Sequence, residues 1–480
     1  MADQSVIETI PTHENIIVHN WRSSCLSQLA ALGIIGLIVW VPIRGLLTSG
    51  LNILPAFTRQ FSDAILVFLL LLLLLLFLFR GFVFTRTLID IPLLLFVSIG
   101  LISWGLNGGS LFVALLGIYR QIAFTILFYT FVNFKFRNRF LIHLLFYTVI
   151  ATGLVQMVST LVEFYLVRET GDLIPGTLGP GQANGLGYML AFFILWMIGL
   201  LRFGIHYTSG KKLLLYICLE ILLIPFILCM SRFSYLALVP VLIWLFRDAL
   251  PHQWLGRIVF KGKIPKILFI APILIMALAV FVFVILSMGL IKFVDISPTY
   301  LWEAQLTVGS GSGRLLYYPK AWDIVSNAVP WGIGIGVGPG NFSSFTGQQF
   351  PSRWYLDLIN VFLVRNQQLG FDSNVDSSFI AVGGEFGLIG LIIYLVILYQ
   401  LYRIFSLAYK RQGGFWKSVA WAGKGMVIFY VMAGVAMNTW EVQYVSMYIW
   451  LFAGVTYWKL LDLKQKNNQE PSDAFPSLKN

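Results

Sequence analysis

Three cysteines in a chain of 480 residues, Cys25, Cys218 and Cys229, are too few for a disulfide framework. Cys218 and Cys229 fall on one predicted helix, too far apart to bridge. No Cys/His cluster is present, so neither zinc nor iron is indicated and no cofactor is called for. Charge is equally scarce: only 11% of residues are Asp, Glu, Lys or Arg, against roughly 25% in soluble domains. No cleavable signal sequence is visible in the polar opening stretch that holds Glu8, His13 and Glu14, so the first apolar segment would itself direct the chain to a membrane. Internal repeats are lacking, which argues against the inverted-repeat architecture of many transporters.

What the chain has instead is apolar length. It is 58% hydrophobic, with a mean hydropathy of +0.82, and reads as an all-α integral membrane protein. Since about 20 apolar residues span a bilayer as a helix, twelve transmembrane segments are expected, at 26–46, 62–84, 87–105, 110–132, 141–166, 184–202, 213–230, 232–247, 266–291, 378–402, 418–437 and 441–460. The CMSRF stretch between the seventh and eighth could instead be a kink in one longer hairpin. The organisation is then a cytoplasmic segment at 1–25, nine helices within 26–291, a large outer loop at 292–377, three helices within 378–460, and a disordered cytoplasmic tail at 461–480.

The net charge of +12 is not a nucleic-acid signature, because the cations sit in short loops between apolar segments. Arg80, Arg86, Lys135, Arg137, Arg139, Arg202, Lys211, Lys212, Arg247, Arg257, Lys261, Lys263, Lys266, Arg403, Lys410, Arg411 and Lys417 all fall on the side of the N-terminus. The opposite short loops hold only Arg44, Arg59 and Arg168. By the positive-inside rule both termini are cytoplasmic and the long loop lies outside, in the periplasm or its equivalent.

That loop, with the region re-entering the membrane, is the one long polar interruption, and so a candidate working part rather than a connector. Two short amphipathic helices are predicted in it. One covers 319–328 and starts at Pro319; the other covers 352–369 with a stripe of Trp354, Leu358, Val361 and Phe362, and Gly370 stops it. They would lie at the membrane surface over a cavity, or form a lid without chemistry.

Charges within membrane segments are costly and therefore suggest function. Arg120 lies within an apolar segment, as a ligand for anions or as half of a buried pair with a carboxylate. Arg232 lies between two apolar runs near the outer face, as an anion ligand or a snorkelling anchor. The planar guanidinium fork suits phosphate oxygens. Arg314 follows the glycine-serine run 309–313 and Lys320 is a second cation beside it; either could be an ordinary solvated charge. Arg365 is a further cation of the second loop helix. Asp376 stands where the loop re-enters the membrane, with Glu385 about two turns later. It could accept a proton from a sugar hydroxyl or cap the following helix. Gln182 and Asn184 offer neutral hydrogen-bonding groups near the face of Arg232, or cap their own helix. The run GIGIGVGPG has no βαβ setting for a dinucleotide site, and close backbone packing or a hinge suits it better.

Taken in order, these pieces resemble the O-antigen ligase and polymerase superfamily of bacterial membrane glycosyltransferases. The likeness rests on Gly-Thr to Asn at 176–184, Ser-Arg at 231–232, Gly-Arg at 313–314, Trp322, Pro330, the glycines of 332–340, and Glu-x-Gly-x-x-Gly at 385–390. It implies a fold like the GT-C transferases and metal-independent chemistry on sugars carried by undecaprenyl pyrophosphate in a bilayer. A flippase and a chain-length regulator would be partners. Arg232 and Arg314 would hold the pyrophosphate, with Arg120, Gln182, Asn184, Lys320 and Arg365 as further substrate-binding candidates. Ligases of the family end the loop on His-Asn, the histidine being the proposed base; here the position reads Asp376-Ser377. None of the histidines at 13, 19, 143, 206 and 252 falls in the outer loop. A polymerase of the bacterial inner membrane is therefore expected, with Asp376 as base. The alternatives are a ligase that transfers the glycan to lipid A core or protein and, from another class, a small-solute or bicarbonate transporter.

Overall fold

A computed structural model describes residues 13–50, 60–79, 84–134, 139–167, 174–179, 182–204, 208–229, 231–246, 314–357, 377–435 and 437–469, with Pro55 and Phe136. The segment expected at 266–291, most of the loop helix expected at 352–369, Arg365 and Asp376 lie outside the described residues. So do the side chains of Arg232, Arg314 and Lys320.

The chain is an all-α integral membrane protein, and among the described residues there is no strand. Its first half comprises α1 (His13–Gly45), α2 (Phe61–Phe79), α3 (Asp90–Asn107), α4 (Leu111–Ile122), α5 (Thr125–Asn133), α6 (Arg139–Val167), α7 (Ala183–Phe203), α8 (Ser209–Leu228) and α9 (Arg232–Phe246). The region expected to form the long loop supplies α10 (Arg314–Ala328), α11 (Gly332–Ile335) and α12 (Phe345–Gln349). The chain then continues through α13 (Ser378–Arg411), α14 (Gly414–Ala433) and α15 (Gln443–Gln469). Among the described residues, six stretches are long and apolar enough to cross a membrane: Cys25–Thr48, Phe61–Phe79, Asp90–Asn107, His143–Leu166, Ala183–Phe203 and Ser378–Arg411. The segment expected at 110–132 is α4 and α5, bent by 59° at the break between them. Thr125 Oγ1 donates to the Ile122 carbonyl at 2.6 Å, which satisfies a backbone acceptor at the break, as a low-dielectric setting demands.

Burial sorts these helices into an inner and an outer set. In α7 almost every side chain is buried, and it packs on α8, α9, α14 and α15. Around it Trp196, Trp421, Trp450, Tyr188, Tyr430 and Tyr448 are fully enclosed. The leucine-rich α2 behaves differently. Leu69, Leu72, Leu73 and Leu76 are buried, whereas Leu70, Leu71, Leu74, Leu75 and Leu78 are exposed. One face meets protein and the other suits lipid, and apolar side chains serve both. α8 and α9 are separate helices, tied across their break by the Tyr235 hydroxyl, which donates to the carbonyls of Phe226 and Ile227 at 2.9 and 2.7 Å.

In the outer loop, α10 begins at Arg314, and Pro319 lies inside it rather than at its start. Within the second expected helix, residues 353–357 are helical, with Ser352 Oγ accepting from the Tyr355 amide at 3.2 Å.

Candidate active site

Four helix ends and one connection meet at one place. The C-termini of α1 and α4, the N-termini of α2 and α7, and the connection from α14 to α15 enclose a cavity of about 1400 Å³, joined by Gln349 and Phe350 at the end of α12. Those ends of α1, α2, α7 and α14 are the ones that loop charge assigns to the outer side. Arg44 and Arg120 stand in the last turns of α1 and α4, and Asp63 in the first turn of α2. Each charge complements the dipole of its own helix end.

These side chains are held by one another. Arg44 Nη1 donates to Ser62 Oγ at 3.1 Å and to Gln443 Oε1. Arg120 Nη2 donates to Gln349 Oε1 at 2.7 Å, so among the described residues its hydrogen-bond partner is a neutral amide from the region between α9 and α13 rather than a carboxylate. The Tyr119 hydroxyl donates to Asp63 Oδ1 at 3.2 Å. Gln121 Nε2 and Asn438 Nδ2 donate to the two oxygens of Glu441 at 2.7 and 3.1 Å. Tyr444 donates its hydroxyl to Gln182 Oε1. The wall thus combines two guanidinium groups, two carboxylates, several amides and the rings of Phe61, Phe112, Tyr119, Phe124, Phe350 and Tyr444. At that volume it exceeds the roughly 300–1,000 Å³ of an ordinary small-molecule pocket.

The glycine run within this loop region forms a clasp with α13. Glu385, fully buried in α13, accepts from the backbone amides of Gly340 at 2.9 Å, Phe342 at 3.2 Å and Ser344 at 3.3 Å. The Val337 and Gly338 amides donate to the carbonyls of Gly384 and Glu385 at 2.9 and 3.1 Å. The two backbones approach so closely that a Cβ on Gly336 would lie 2.4 Å from the Glu385 carbonyl group, and one on Gly387 2.4 Å from that of Gly334. Both glycines also take positive φ, 78° and 68°. The run is close backbone packing, and Gly387 is the kink in α13.

Above the clasp, the Tyr318 hydroxyl joins α10 to the start of α13. It bonds Ser377 Oγ at 2.9 Å and donates to the Val435 carbonyl at 2.8 Å. Burial pushes the Tyr318 phenol above its ordinary range, with the Ser377 hydrogen bond opposing. The N-cap of α13 is Ser377, whose side chain accepts from the Ile380 amide at 3.3 Å. The cap that the sequence offered to Asp376 is therefore taken by its neighbour.

Of the residues singled out in the sequence, Arg120 and Gln182 line the cavity. Gln182 is the N-cap residue of α7 but makes no side-chain cap bond there. Asn184, in the first turn of α7, meets the start of α9 through its backbone carbonyl, which lies 3.5 Å from Ser231 Oγ. Arg232 and Arg314 are the first residues of α9 and α10. Arg44, Asp63, Glu441 and Gln443 were not among the candidates. Arg44 reads as a loop cation, and Asp63 and Glu441 sit at segment edges where charge is unremarkable. The available signal was that charges at several segment edges fall at the same membrane side.

The fold and this cavity define a class, a multi-pass helical membrane protein with a polar chamber at one end of its bundle. Within it, residues 217–395, from the middle of α8 to the middle of α13, match the family model described as O-Antigen ligase. The likeness to the O-antigen ligase and polymerase superfamily, drawn from the short motifs, is borne out, and the family points to a glycosyltransferase-type enzyme acting on lipid-linked glycans in a membrane. No curated protein matches the chain.

Proposed function

We propose that the protein polymerises undecaprenyl-pyrophosphate-linked oligosaccharide repeats into a surface polysaccharide, such as an O-antigen, capsule or exopolysaccharide, on the outer face of the bacterial inner membrane. The observation that carries the reading is the cavity of about 1400 Å³ with two arginines in its wall, in a chain whose residues 217–395 match the O-antigen ligase family. The preference for polymerase over ligase rests on the outer loop, which contains no histidine and has Asp376 where ligases of the family place theirs.

In this reading Arg232 and Arg314 grip the donor diphosphate, and Arg120, Lys320 and Arg365 add positive charge along the lipid-linked substrate. Gln182 and Asn184 supply hydrogen bonds to sugar. Asp376 takes the proton from the acceptor hydroxyl as its oxygen bonds to the anomeric carbon of the donor sugar. The bond from that carbon to the diphosphate breaks, and the electron pair leaves with the diphosphate, whose charge the guanidinium groups offset. The geometry that supports this is local: Ser231 packs on the first turn of α7, whose neighbour Gln182 lines the cavity.

The test is incubation of purified full-length protein with a defined undecaprenyl-pyrophosphate-linked repeat in chelator, with lipid A core offered in a parallel reaction. Products lengthened by whole repeats are expected without added metal. Transfer only to lipid A core would make the protein a ligase. No transfer in either reaction, with solute flux into proteoliposomes, would make it a transporter.

A further inference from the structure

Two carboxylates line the cavity, and they are held differently. Glu441 is 6% exposed, and Gln121 and Asn438 occupy its two oxygens. It belongs to the wall. Asp63 is half-buried. Its Oδ1 accepts from Tyr119 at 3.2 Å, and among the described residues no hydrogen bond is made at Oδ2. Arg44 and Arg120 both lie close enough to act electrostatically on it. Its place in the first turn of α2 suits the helix dipole. The dipole does not explain why a tyrosine from α4 is fixed on it inside the chamber.

A carboxylate by itself repels a diphosphate and accepts hydroxyl hydrogens; Arg44 and Arg120 in the same wall offset its charge, and the amides and aromatic rings around it suit a sugar. We infer that Asp63, held by Tyr119, is a sugar-recognition residue. Its Oδ2 accepts a ring hydroxyl of the glycan while Arg120 donates to a neighbouring sugar oxygen. The ligand class is a neutral, hydroxyl-bearing sugar ring, recognised apart from the diphosphate of the same substrate. This rests on the proposed function and adds to it a residue that fixes sugar specificity.

The probe is the oligosaccharide released by mild acid from the lipid-linked repeat that accumulates in cells lacking the protein. Its binding to full-length protein in nanodiscs is read beside that of inorganic pyrophosphate. Asp63→Asn is expected to weaken oligosaccharide binding about tenfold or more, the size of a lost charge-assisted hydrogen bond, and to leave pyrophosphate binding in place. Equal oligosaccharide binding by Asp63→Asn and the unaltered protein overturns the assignment. Equal loss of both ligands reads as collapse of the chamber and overturns it too. If Asp63→Asn does not fold, Asp63→Glu replaces it: the extra methylene moves the carboxylate, and undiminished binding is again fatal. Absence of any accumulating lipid-linked repeat sinks the function reading and this subsite together, whereas the other negative outcomes sink the subsite alone.

Discussion

Ser377 decides how a single residue beside it is to be tested. A carboxylate before an apolar run is ordinarily assigned to capping, a role that Asn fills as well as Asp. Here the cap hydrogen bond to Ile380 comes from the Ser377 side chain, so Asp376 is not needed for it. Asp376→Asn and Asp376→Ala should therefore both leave the thermal midpoint within a degree or two. If Asp376 is the base, both should cut polymerisation by at least about 100-fold, the usual worth of a positioned general base. Activity retained by Asp376→Asn would remove it from the reaction. Ser377→Ala offers the contrast. It loses the cap and the Tyr318 bond and should lower stability by about 1–2 kcal/mol, whatever it does to rate.

At the scale of elements, α13 and the loop form one unit because each supplies what the other lacks. The loop amides of Gly340, Phe342 and Ser344 need acceptors, and the buried Glu385 needs donors. A lone buried carboxylate would be costly; the backbone hydrogen bonds that Glu385 accepts offset that cost. Gly387→Ala should be poorly tolerated, since it adds strain at positive φ to a 2.4 Å approach to Gly334. A loss of about 2–4 kcal/mol is expected, read as a thermal midpoint several degrees lower in detergent. Gly105→Ala in α3, with nothing within 4 Å of the added carbon, should hold or gain stability. An unchanged midpoint in Gly387→Ala would mean the clasp is looser than it looks. The apolar helices were legible in the sequence because span length is set by bilayer thickness. The glycine run was legible only as a pair of options, packing or hinge, because φ and backbone approach have no signature in composition. The early start of α10 was hidden by Pro319, which as a rule begins helices but here sits within one.

For the whole molecule, the cavity and the loop charges bear on one question, which way the chain faces. Arg44, Asp63, Gln182 and Gln443 approach one chamber from four different helices, and counting spans along the sequence puts all of these helix ends opposite the cation-rich loops. That agreement links two independent forces. Loop cations are retained on the cytoplasmic side, and the polar ends of helices gather where a charged substrate would have to be met. It also explains why the chamber was not legible residue by residue: its walls come from positions as far apart as Arg44 and Gln443, each ordinary alone. The orientation predicts that a reporter active only in the cytoplasm will be active when fused at either terminus. A cysteine introduced at Ser326, half-buried between the exposed Asp323 and Asn327 of α10, will react with a membrane-impermeant maleimide from outside intact spheroplasts, whereas one at Gly413 will react only after permeabilisation. Labelling of the Gly413 site in sealed spheroplasts, with Ser326 protected, would invert the chain and place the chamber on the cytoplasmic side. An enzyme of the outer leaflet could not then use it.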